Sequence, residues 1–224
     1  MKKPKICVSI NEKNSVNASE RVGKLEDLKP DFYEIRFDLM EDTREIELIR
    51  KSTDVPLIAT NRTRNSGASN CERKRIDLLI EACVKGYEYV DFDVNNRGLD
   101  ETLNLFRDHG AKLILSSHDF NRTPHLNELI NIMNKQADLG ADICKIIGTA
   151  KHVQDNLVYL NFLQKNHTAK LVSFGMGREG TMSRVLSPVF GGFFTYASAE
   201  AGLEVADGQL TISELKKIYQ LMRI

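Results

Sequence analysis

The chain has 224 residues, with 31 Lys and Arg balanced by 31 Asp and Glu. A formal charge of zero argues against bulk electrostatic binding of nucleic acid or an anionic membrane. The hydrophobic fraction of 42% is that of a globular protein, and no apolar run approaches the roughly 18 residues that a membrane helix needs. Because the N-terminus also lacks the apolar region of a signal peptide, we expect a cytoplasmic protein with no membrane or nucleic-acid partner.

Short β-rich apolar runs alternate with longer segments of helical period along the chain. The pattern predicts eight strands, at Ile6–Ile10, Phe32–Asp38, Pro56–Arg62, Tyr87–Val94, Lys112–His118, Ala141–Gly148, Lys170–Met176 and Phe193–Ser198. Their centres recur about every 27 residues, the length of one strand-helix unit. We therefore predict an α/β fold of the (β/α)8 TIM-barrel type, forming a single domain over residues 1–224, with an open doubly wound sheet as the alternative.

The segments between the predicted strands have the apolar spacing of amphipathic helices. The last of these helices is predicted from Ile212 to Met222. Three earlier helices are followed by Gly86, Gly110 and Gly140, at positions where a helix often ends with a positive φ.

Charged side chains are expected at the carboxyl end of the second strand. Because strand side chains alternate, Glu34, Arg36 and Asp38 are predicted to project together into the barrel. A barrel places its active site at this end of the strands, which makes these residues candidates for it. Buried charges need partners whether or not they serve a reaction, so an ion-pair ladder without catalytic function is an equal alternative.

The fifth predicted strand ends at His118. An imidazole with an ordinary pKa near about 6.5 suits a residue that exchanges protons at neutral pH. We therefore predict His118 as a general base, with capping of the next loop as the alternative. Together with Glu34, Asp91 and Asp93 it also offers the oxygen and nitrogen donors of a divalent-metal site, although a lysine nearby argues against a second cation.

One lysine, Lys145, stands in the middle of the apolar run of the sixth predicted strand. Burial of an ammonium is costly unless it is paired or neutralised, and the nearby Arg36 and Arg62 favour the free amine. A neutral amine attacks carbonyl groups and forms an iminium that draws electrons from the adjacent carbon. The alternatives are an ion pair with Asp93 and a barrel aldolase that uses the same lysine.

A glycine-rich segment, Gly175–Gly180, follows the seventh predicted strand and matches G-x-G-x-x-G. A dinucleotide site is disfavoured because only one predicted strand remains after it. The glycines can instead bring backbone N–H groups close to an anion, and Arg184 can hold a carboxylate through two hydrogen bonds. The glycines of segment 202–209 favour a mobile lid, although a plain connecting loop is an equal alternative.

In chain order these residues form the set Glu34-Ile-Arg36-x-Asp38, Arg62, Ser-Ser-His118-Asp-Phe, Lys145, Met176-Gly-x-x-Gly180-x-x-Ser183-Arg184 and Gly208-Gln209. The set resembles the type I 3-dehydroquinate dehydratases of the shikimate pathway, and the resemblance spans nearly the whole chain. It implies a (β/α)8 barrel, a homodimer, no metal or organic cofactor, and conversion of 3-dehydroquinate to 3-dehydroshikimate and water.

The resemblance also implies a role for each matching residue. Lys145 forms a Schiff base with the C3 ketone. His118 assists Schiff-base formation, removes the C2 proton and then protonates the departing C1 hydroxyl in a syn elimination. Arg184 holds the ring carboxylate, and Met176 packs on the ring. The remaining contacts to hydroxyl groups and to the developing charge come from Glu34, Arg36, Arg62 and Gln209.

The chain departs from the family's pattern at two places. Many relatives have a Glu four residues after the arginine of strand three, where it is thought to orient the histidine, and here that position is Ser66. We expect Glu34 or a water molecule to orient His118 instead. Relatives also have Pro before the Gly-Gln pair, whereas here Asp207 precedes it, and an acid near a carboxylate ligand must point outward. Ser66 leaves open a non-enzymatic barrel that only binds a metabolite.

Overall fold

Eight parallel strands form the centre of the fold in the described part of the chain. The computed structural model describes residues 3–62, 69–95, 99–165 and 168–224, with only the backbone of residues 69–71. The strands are β1 Ile6–Ile10, β2 Phe32–Arg36, β3 Leu57–Thr60, β4 Tyr89–Asp93, β5 Lys112–Asp119, β6 Ile143–Thr149, β7 Leu171–Met176 and β8 Thr195–Ser198.

The strands pair in the order β7-β6-β5-β4-β3-β2-β1-β8. The N–H of Phe193, just before β8, donates to the carbonyl of Leu171 in β7 at 2.6 Å. The sheet is therefore a nearly closed barrel. This confirms the predicted (β/α)8 fold and rejects the open doubly wound sheet.

Helices alternate with the strands, as the apolar spacing predicts. They are α1 Ser15–Leu25, α2 Glu47–Lys51, α3 Ser69–Val84, α4 Leu99–Asp108, α5 Leu126–Asp138, α6 Asp155–Gln164, α7 Thr181–Leu186 and α8 Ile212–Met222. Gly86, Gly110 and Gly140 have φ values of 90°, 79° and 78° just beyond α3, α4 and α5, which confirms their predicted place. In the part of the chain that the structure describes, the helices are too short or too polar to cross a membrane.

At the start of three strands, a backbone N–H donates a hydrogen bond to an acidic side chain. In each case the acidic residue directly precedes the next strand of the sheet. The pairs are Asp31 with Ile6 at 2.9 Å, Glu88 with Leu57 at 2.8 Å and Asp142 with Leu113 at 2.8 Å. A buried N–H without a partner costs about 1–3 kcal/mol. These contacts therefore fix how neighbouring strands are staggered, and so which side chains share a level inside the barrel.

The inside of the barrel is layered. Aromatic rings fill its amino-terminal end, with Phe32 5.8 Å from Tyr89 and 5.0 Å from Phe194 between ring centroids. Toward the carboxyl ends of the strands follows a layer of buried polar side chains, which consists of Ser9, Glu34, Thr60, Asp91, Ser116 and Lys145. Because the aromatic rings fill the amino-terminal end, the polar layer faces the carboxyl end of the barrel, where catalytic residues are usually found.

Strand β2 ends earlier than predicted. After Arg36 the backbone turns into a short 3-10 helix over residues 37–39, so the alternation that sends Glu34 and Arg36 inward does not reach Asp38. Asp38 folds back instead, and its two oxygens accept hydrogen bonds from Nε and Nη2 of Arg36 at 3.0 and 2.8 Å. The prediction of three charges along one strand face is therefore wrong for Asp38.

Candidate active site

The amine of Lys145 lies inside the barrel, because β6 side chains alternate between the lumen and the helices. The residue is 5% exposed. Its Nζ donates to Oδ2 of Asp91 at 2.6 Å, to the hydroxyl oxygen of Tyr196 at 2.9 Å and to Oε1 of Glu34 at 3.3 Å. The structure therefore places the lysine in the lumen, as predicted, and gives it three side-chain partners.

Carboxylates are the charged contacts of this amine. Arg62 lies on the other side of Asp91, with Nη2 3.2 Å from both carboxylate oxygens. Arg36 and Arg62 were expected to favour the free amine, but the charged groups in direct contact with Lys145 are the carboxylates of Glu34 and Asp91. The alternative ion pair with Asp93 is wrong, because the Asp93 carboxylate lies beside His118.

Glu34 and Asp91 are ionised in spite of their burial. Burial raises the pKa of a carboxyl group, but the charges of Lys145 and the nearby arginines, with the hydrogen bonds the groups accept, together outweigh it, and the pKa of both groups lies below its ordinary value. Hydroxyl donors add to this, from Ser116 to Asp91 at 2.7 Å and from Ser9 and Thr60 to Glu34 at 2.9 and 3.1 Å. The lumen thus holds two carboxylates around one amine.

His118 stands near the end of β5 with a side chain that is 9% exposed. Nη1 of Arg62 lies 3.1 Å from its Nδ1. Since a guanidinium only donates, Nδ1 accepts in this contact when the neutral ring carries its hydrogen on Nε2, whereas in the other tautomer the N–H of Nδ1 faces Oδ2 of Asp93. Burial, reinforced by the charge of Arg62, lowers the pKa of His118 to about 4. The ring is therefore neutral at pH 7, as a general base must be.

The His118 ring is held in place by three neighbours, Arg62, Asp93 and Phe120. Oδ2 of Asp93 lies 3.8 Å from Nδ1, and the Phe120 ring stacks on the imidazole with centroids 5.9 Å apart and an angle of 18° between the planes. The expectation that Glu34 orients His118 is wrong, because the Glu34 carboxylate is bound inside the polar layer. Ser66 lies outside the described residues.

Arg184, in α7, is a buried guanidinium that makes no ion pair with any described residue. It is 1% exposed. Its Nη2 donates to the carbonyl of Asp207 at 3.3 Å, its Nε has no hydrogen-bond partner among the described residues, and its guanidinium carbon lies 4.5 Å from the centroid of Phe174. Burial lowers the pKa of Arg184 to about 10, so it stays charged at neutral pH. A buried cation with a free donor is suited to bind an anion.

The segment 202–209 packs against the loop that follows β7. The N–H of Gly177 donates to the carbonyl of Asp207 at 3.2 Å, and a Cβ on Gly208 would lie 2.3 Å from the carbonyl oxygen of Gly177. Close approach of the two backbones therefore requires glycine at 208. Asp207 itself is exposed, and its carbonyl rather than its acid contacts Arg184, in agreement with the expected outward orientation.

Three more predicted binding residues lie at the same end of the barrel. Met176 is half-buried at the end of β7 and packs against the lumen cluster. Oε1 of Gln209 accepts from the N–H of Val205 at 2.9 Å, whereas its buried Nε2 has no partner among the described residues. The Arg36 guanidinium is already paired with Asp38. Gln209 Nε2 is therefore available as a donor to a ligand, whereas the charge of Arg36 is already compensated by Asp38.

The segment Gly175–Gly180 forms a tight turn between β7 and α7. A Cβ on Gly180 would lie 2.3 Å from the carbonyl oxygen of Gly175, and the N–H of Gly175 donates to Oγ of Ser183 at 3.0 Å. The glycines are needed for close packing of the backbone, and the N–H of Gly175 already has its partner. Anion binding at this end therefore depends on Arg184.

Phe174 and Tyr196 are two site residues that the sequence patterns did not predict. The Phe174 ring lies under Arg184, and its centroid is 6.4 Å from that of Tyr196, whose hydroxyl reaches Lys145. Two aromatic rings thus connect the free guanidinium with the buried amine. The only signal in the sequence is the alternation within β7 and β8, which turns both side chains inward but does not say what they meet.

Within the described ranges, no group of three or more His, Cys, Asp and Glu side chains is arranged to hold a metal ion. The sequence suggested Glu34, Asp91, Asp93 and His118 as metal ligands, but these residues make two other sets of contacts. Glu34 and Asp91 bind the ammonium of Lys145, and Asp93 lies beside His118. The geometry therefore supports an amine site rather than a metal centre built from these residues.

Comparisons with known proteins match nearly the whole chain. A family model described as Type I 3-dehydroquinase matches residues 6–224. The 3-dehydroquinate dehydratase of Dehalococcoides mccartyi (strain ATCC BAA-2266 / KCTC 15142 / 195) is 34% identical over 226 residues, which cover 98% of this chain and 96% of the relative.

Solved structures agree with this match. The crystal structure of the type I 3-dehydroquinate dehydratase of Clostridium difficile with covalent modified comenic acid has a TM-score of 0.86 at 26% identity and covers 99% of this chain and 93% of its own. The crystal structure of the 3-dehydroquinate dehydratase of Aquifex aeolicus VF5 has a TM-score of 0.79 at 26% identity, with 98% and 100% covered.

Proposed function

The chain belongs to the type I 3-dehydroquinase family, and from this premise we propose that it is a 3-dehydroquinate dehydratase of the shikimate pathway that works through a Schiff base on Lys145. The observation that carries the proposal is the buried amine of Lys145, held between Asp91 and Tyr196 at the carboxyl end of the barrel. An amine fixed in this way is a nucleophile for a ketone once it has lost a proton.

The first step joins the C3 ketone of the substrate to Nζ of Lys145. A C–N bond forms, the carbonyl oxygen leaves as water, and the two protons given up by the ammonium end on that water. The positive charge stays on the iminium nitrogen, where the ionised carboxylates of Asp91 and Glu34 stabilise it. The iminium withdraws electrons from C2 and so acidifies its proton.

His118 is the proposed proton carrier at C2 and C1. Its neutral ring takes the C2 proton to give an enamine, and the imidazolium then protonates the C1 hydroxyl, which leaves as water in a syn elimination. For this the ring needs a free nitrogen. The proposed step uses the tautomer with the hydrogen on Nδ1, which faces Asp93; Arg62 then no longer donates to Nδ1, and Nε2 is free. Hydrolysis of the iminium then releases 3-dehydroshikimate and the amine.

Arg184 is the proposed clamp for the substrate carboxylate, since its buried charge and free Nε match a carboxylate. The free Nε2 of Gln209 is assigned to a hydroxyl group, and Met176 to the face of the ring. The other proposed substrate contacts are Glu34, Arg36 and Arg62. The homodimer and the cytoplasmic location stay predictions.

Incubation with 3-dehydroquinate, with and without borohydride, tests the function. We expect the absorbance of 3-dehydroshikimate to rise in the absence of borohydride. In its presence we expect a reduced adduct on the peptide that contains Lys145, identified by mass spectrometry. Product without an adduct would overturn the Schiff base and leave the dehydratase, whereas the absence of both would overturn the function.

The variant Arg184→Lys is expected to raise the KM for 3-dehydroquinate by roughly 10- to 100-fold with a much smaller effect on kcat. Lysine keeps the charge but loses the two parallel donors that fit a carboxylate. Steady-state kinetics measure the change.

Arg75→Lys is the matched control for this variant. Arg75 is also a buried arginine against an aromatic ring, 4.6 Å from Phe92, but it binds Glu72 on the helix side of the barrel. Its replacement should leave KM unchanged while costing comparable thermal stability. Equal KM values in the two variants would contradict the carboxylate role of Arg184.

A further inference from the structure

The hydroxyl of Tyr196 lies next to the reacting nitrogen. Tyr196 is 4% exposed in β8, and its oxygen is 2.9 Å from Nζ of Lys145. The same Nζ lies 4.1 Å from the centroid of the tyrosine ring. The amine is therefore in contact with both the ring and the hydroxyl. Among the described residues none accepts the hydroxyl hydrogen, which can point toward a group that approaches this nitrogen.

We propose that Tyr196 is a further catalytic residue, whose hydroxyl relays protons from the nitrogen of Lys145 to the oxygen of the substrate ketone while the imine forms. The inference rests on the proposed function and adds to it a proton path for its first step. It concerns only imine formation and, by the same path in reverse, imine hydrolysis.

The proton balance of that step calls for such a relay. An ammonium with three protons and a ketone become an iminium with one N–H and a water molecule, so two protons move from nitrogen to oxygen. A tyrosine hydroxyl accepts one proton from nitrogen as it gives its own to the oxygen, and it ends each transfer unchanged. The C–N bond forms in the first transfer, and the C–O bond breaks in the second.

The other groups around the amine are less suited to this task. Asp91 and Glu34 contact the nitrogen, but their pKa values lie below the ordinary range, so they have no proton to give at neutral pH. Burial raises the pKa of Tyr196 well above its ordinary value, and the hydroxyl keeps its proton. Of these three contacts, only the hydroxyl is at once a donor and an acceptor.

Packing fixes the position of the tyrosine ring. Its centroid lies 5.2 Å from that of Phe194 in an edge-to-face arrangement and 6.4 Å from that of Phe174. Both neighbours are buried in the same lumen cluster. A rigid ring holds the hydroxyl at one place, which is what a relay over a short distance needs.

The rate of imine formation in Tyr196→Phe tests the proposal. Mixing with 3-dehydroquinate is followed by quenching with borohydride after milliseconds to seconds, and the adduct on Lys145 is quantified by mass spectrometry. We expect adduct formation to slow by about 10- to 100-fold, with a KM within about twofold of the wild type because the ring still packs.

Tyr89→Phe is the matched control, since it removes the hydroxyl of another tyrosine of the lumen cluster, among the aromatic rings at the amino-terminal end of the barrel. This variant should form the adduct at the wild-type rate. If Tyr196→Phe is too unstable to assay, 3-fluorotyrosine at position 196 keeps the hydroxyl but makes it more acidic, and the rate should change with that acidity.

A wild-type rate of adduct formation in Tyr196→Phe would overturn the relay and leave the proposed function standing. Slowing of a later step alone, with normal adduct formation, would also overturn it. If the wild-type protein makes product without an adduct, or neither, the Schiff base itself fails and the relay falls with it.

Discussion

Replacement of Lys145 by methionine is expected to lower the turnover of 3-dehydroquinate by at least about 10⁴-fold, because the covalent route loses its nucleophile. Methionine resembles the lysine stem in length and has no amine. The adduct trapped by borohydride is expected to disappear together with the activity. Steady-state assays and mass spectrometry of the intact protein measure the two losses.

The same substitution removes the cation from between two buried carboxylates. Glu34 and Asp91 are 2% and 3% exposed, and both contact the ammonium. Loss of one partner of a buried ion pair costs roughly 3–5 kcal/mol. Arg62 stays bound to Asp91, so we expect the lower end of this range in the free energy of unfolding.

A double variant separates the chemical loss from the loss of stability. Lys145→Met combined with Glu34→Gln removes the carboxylate charge that the methionine leaves without an ion pair, since Arg62 still binds Asp91. We expect it to regain part of the free energy of unfolding in urea and to remain inactive. Recovery of activity in this protein, or a trapped adduct in the folded single variant, would contradict the assignment of Lys145 as the nucleophile.

The position of Lys145 could be predicted from the sequence because two simple patterns agree on it. A lysine in the middle of an apolar strand stands out, and strand alternation together with the barrel turns it inward. His118 and Arg62 follow from the same reasoning, since each lies at or just beyond the carboxyl end of a predicted strand. Local patterns are enough when the question is which face a residue occupies.

Contacts across the lumen could not be predicted in this way. The partners of Lys145 come from β2, β4 and β8, and their separation from it in the sequence is 111, 54 and 51 residues. Which of them meet depends on the stagger of the strands, to which hydrogen bonds at the other end of the barrel contribute. For that reason the sequence indicated nearby arginines but not the carboxylate contacts of Lys145, and nothing in it pointed to Tyr196.

Asp38 shows that the end of a strand is harder to predict from the sequence than its face. The alternation of charges from Glu34 to Asp38 continues past the last strand residue, so the pattern carries no sign of the end of β2. The turn at residues 37–39 brings Asp38 back onto the guanidinium of Arg36. Side-chain periodicity predicts a strand face but not where the strand stops.

Replacement of His118 by alanine is expected to lower kcat by about 10²–10⁴-fold while Lys145 still forms an imine that borohydride can trap. The reason is that the amine and the imidazole act on different atoms of the substrate. Because elimination is blocked after imine formation, the adduct should accumulate during turnover. A variant that forms neither product nor adduct would show that His118 is required for the imine itself.

The pH dependence of the wild-type protein gives an independent test of the same residue. Only the neutral ring can accept the C2 proton, and burial with the charge of Arg62 lowers the pKa of His118 from 6.5 to about 4. We therefore expect kcat/KM to stay level as the pH falls through 6.5 and to decline only as it approaches 4. An acid limb centred near 6.5 would show that the ring is not held neutral by its surroundings.

The lowered pKa also makes folding depend on pH, with a sign that can be checked. Below 6.5 the unfolded chain binds a proton at His118 that the folded protein does not bind until about pH 4. The stability from this group is therefore fully present above 6.5 and is lost as the pH falls toward 4, by about 3 kcal/mol in total.

His118→Gln removes the titrating group and keeps a polar side chain of similar size. Its free energy of unfolding is expected to depend less on pH between 6.5 and 5, above the range in which the carboxyl groups of the unfolded chain titrate. The difference between the wild-type and variant slopes, measured by urea unfolding across this range, isolates the imidazole from Glu34, Asp91 and Asp93. Equal slopes would mean that folding does not bury His118 in its neutral form, and the ring would then lose the property on which its role as the base depends.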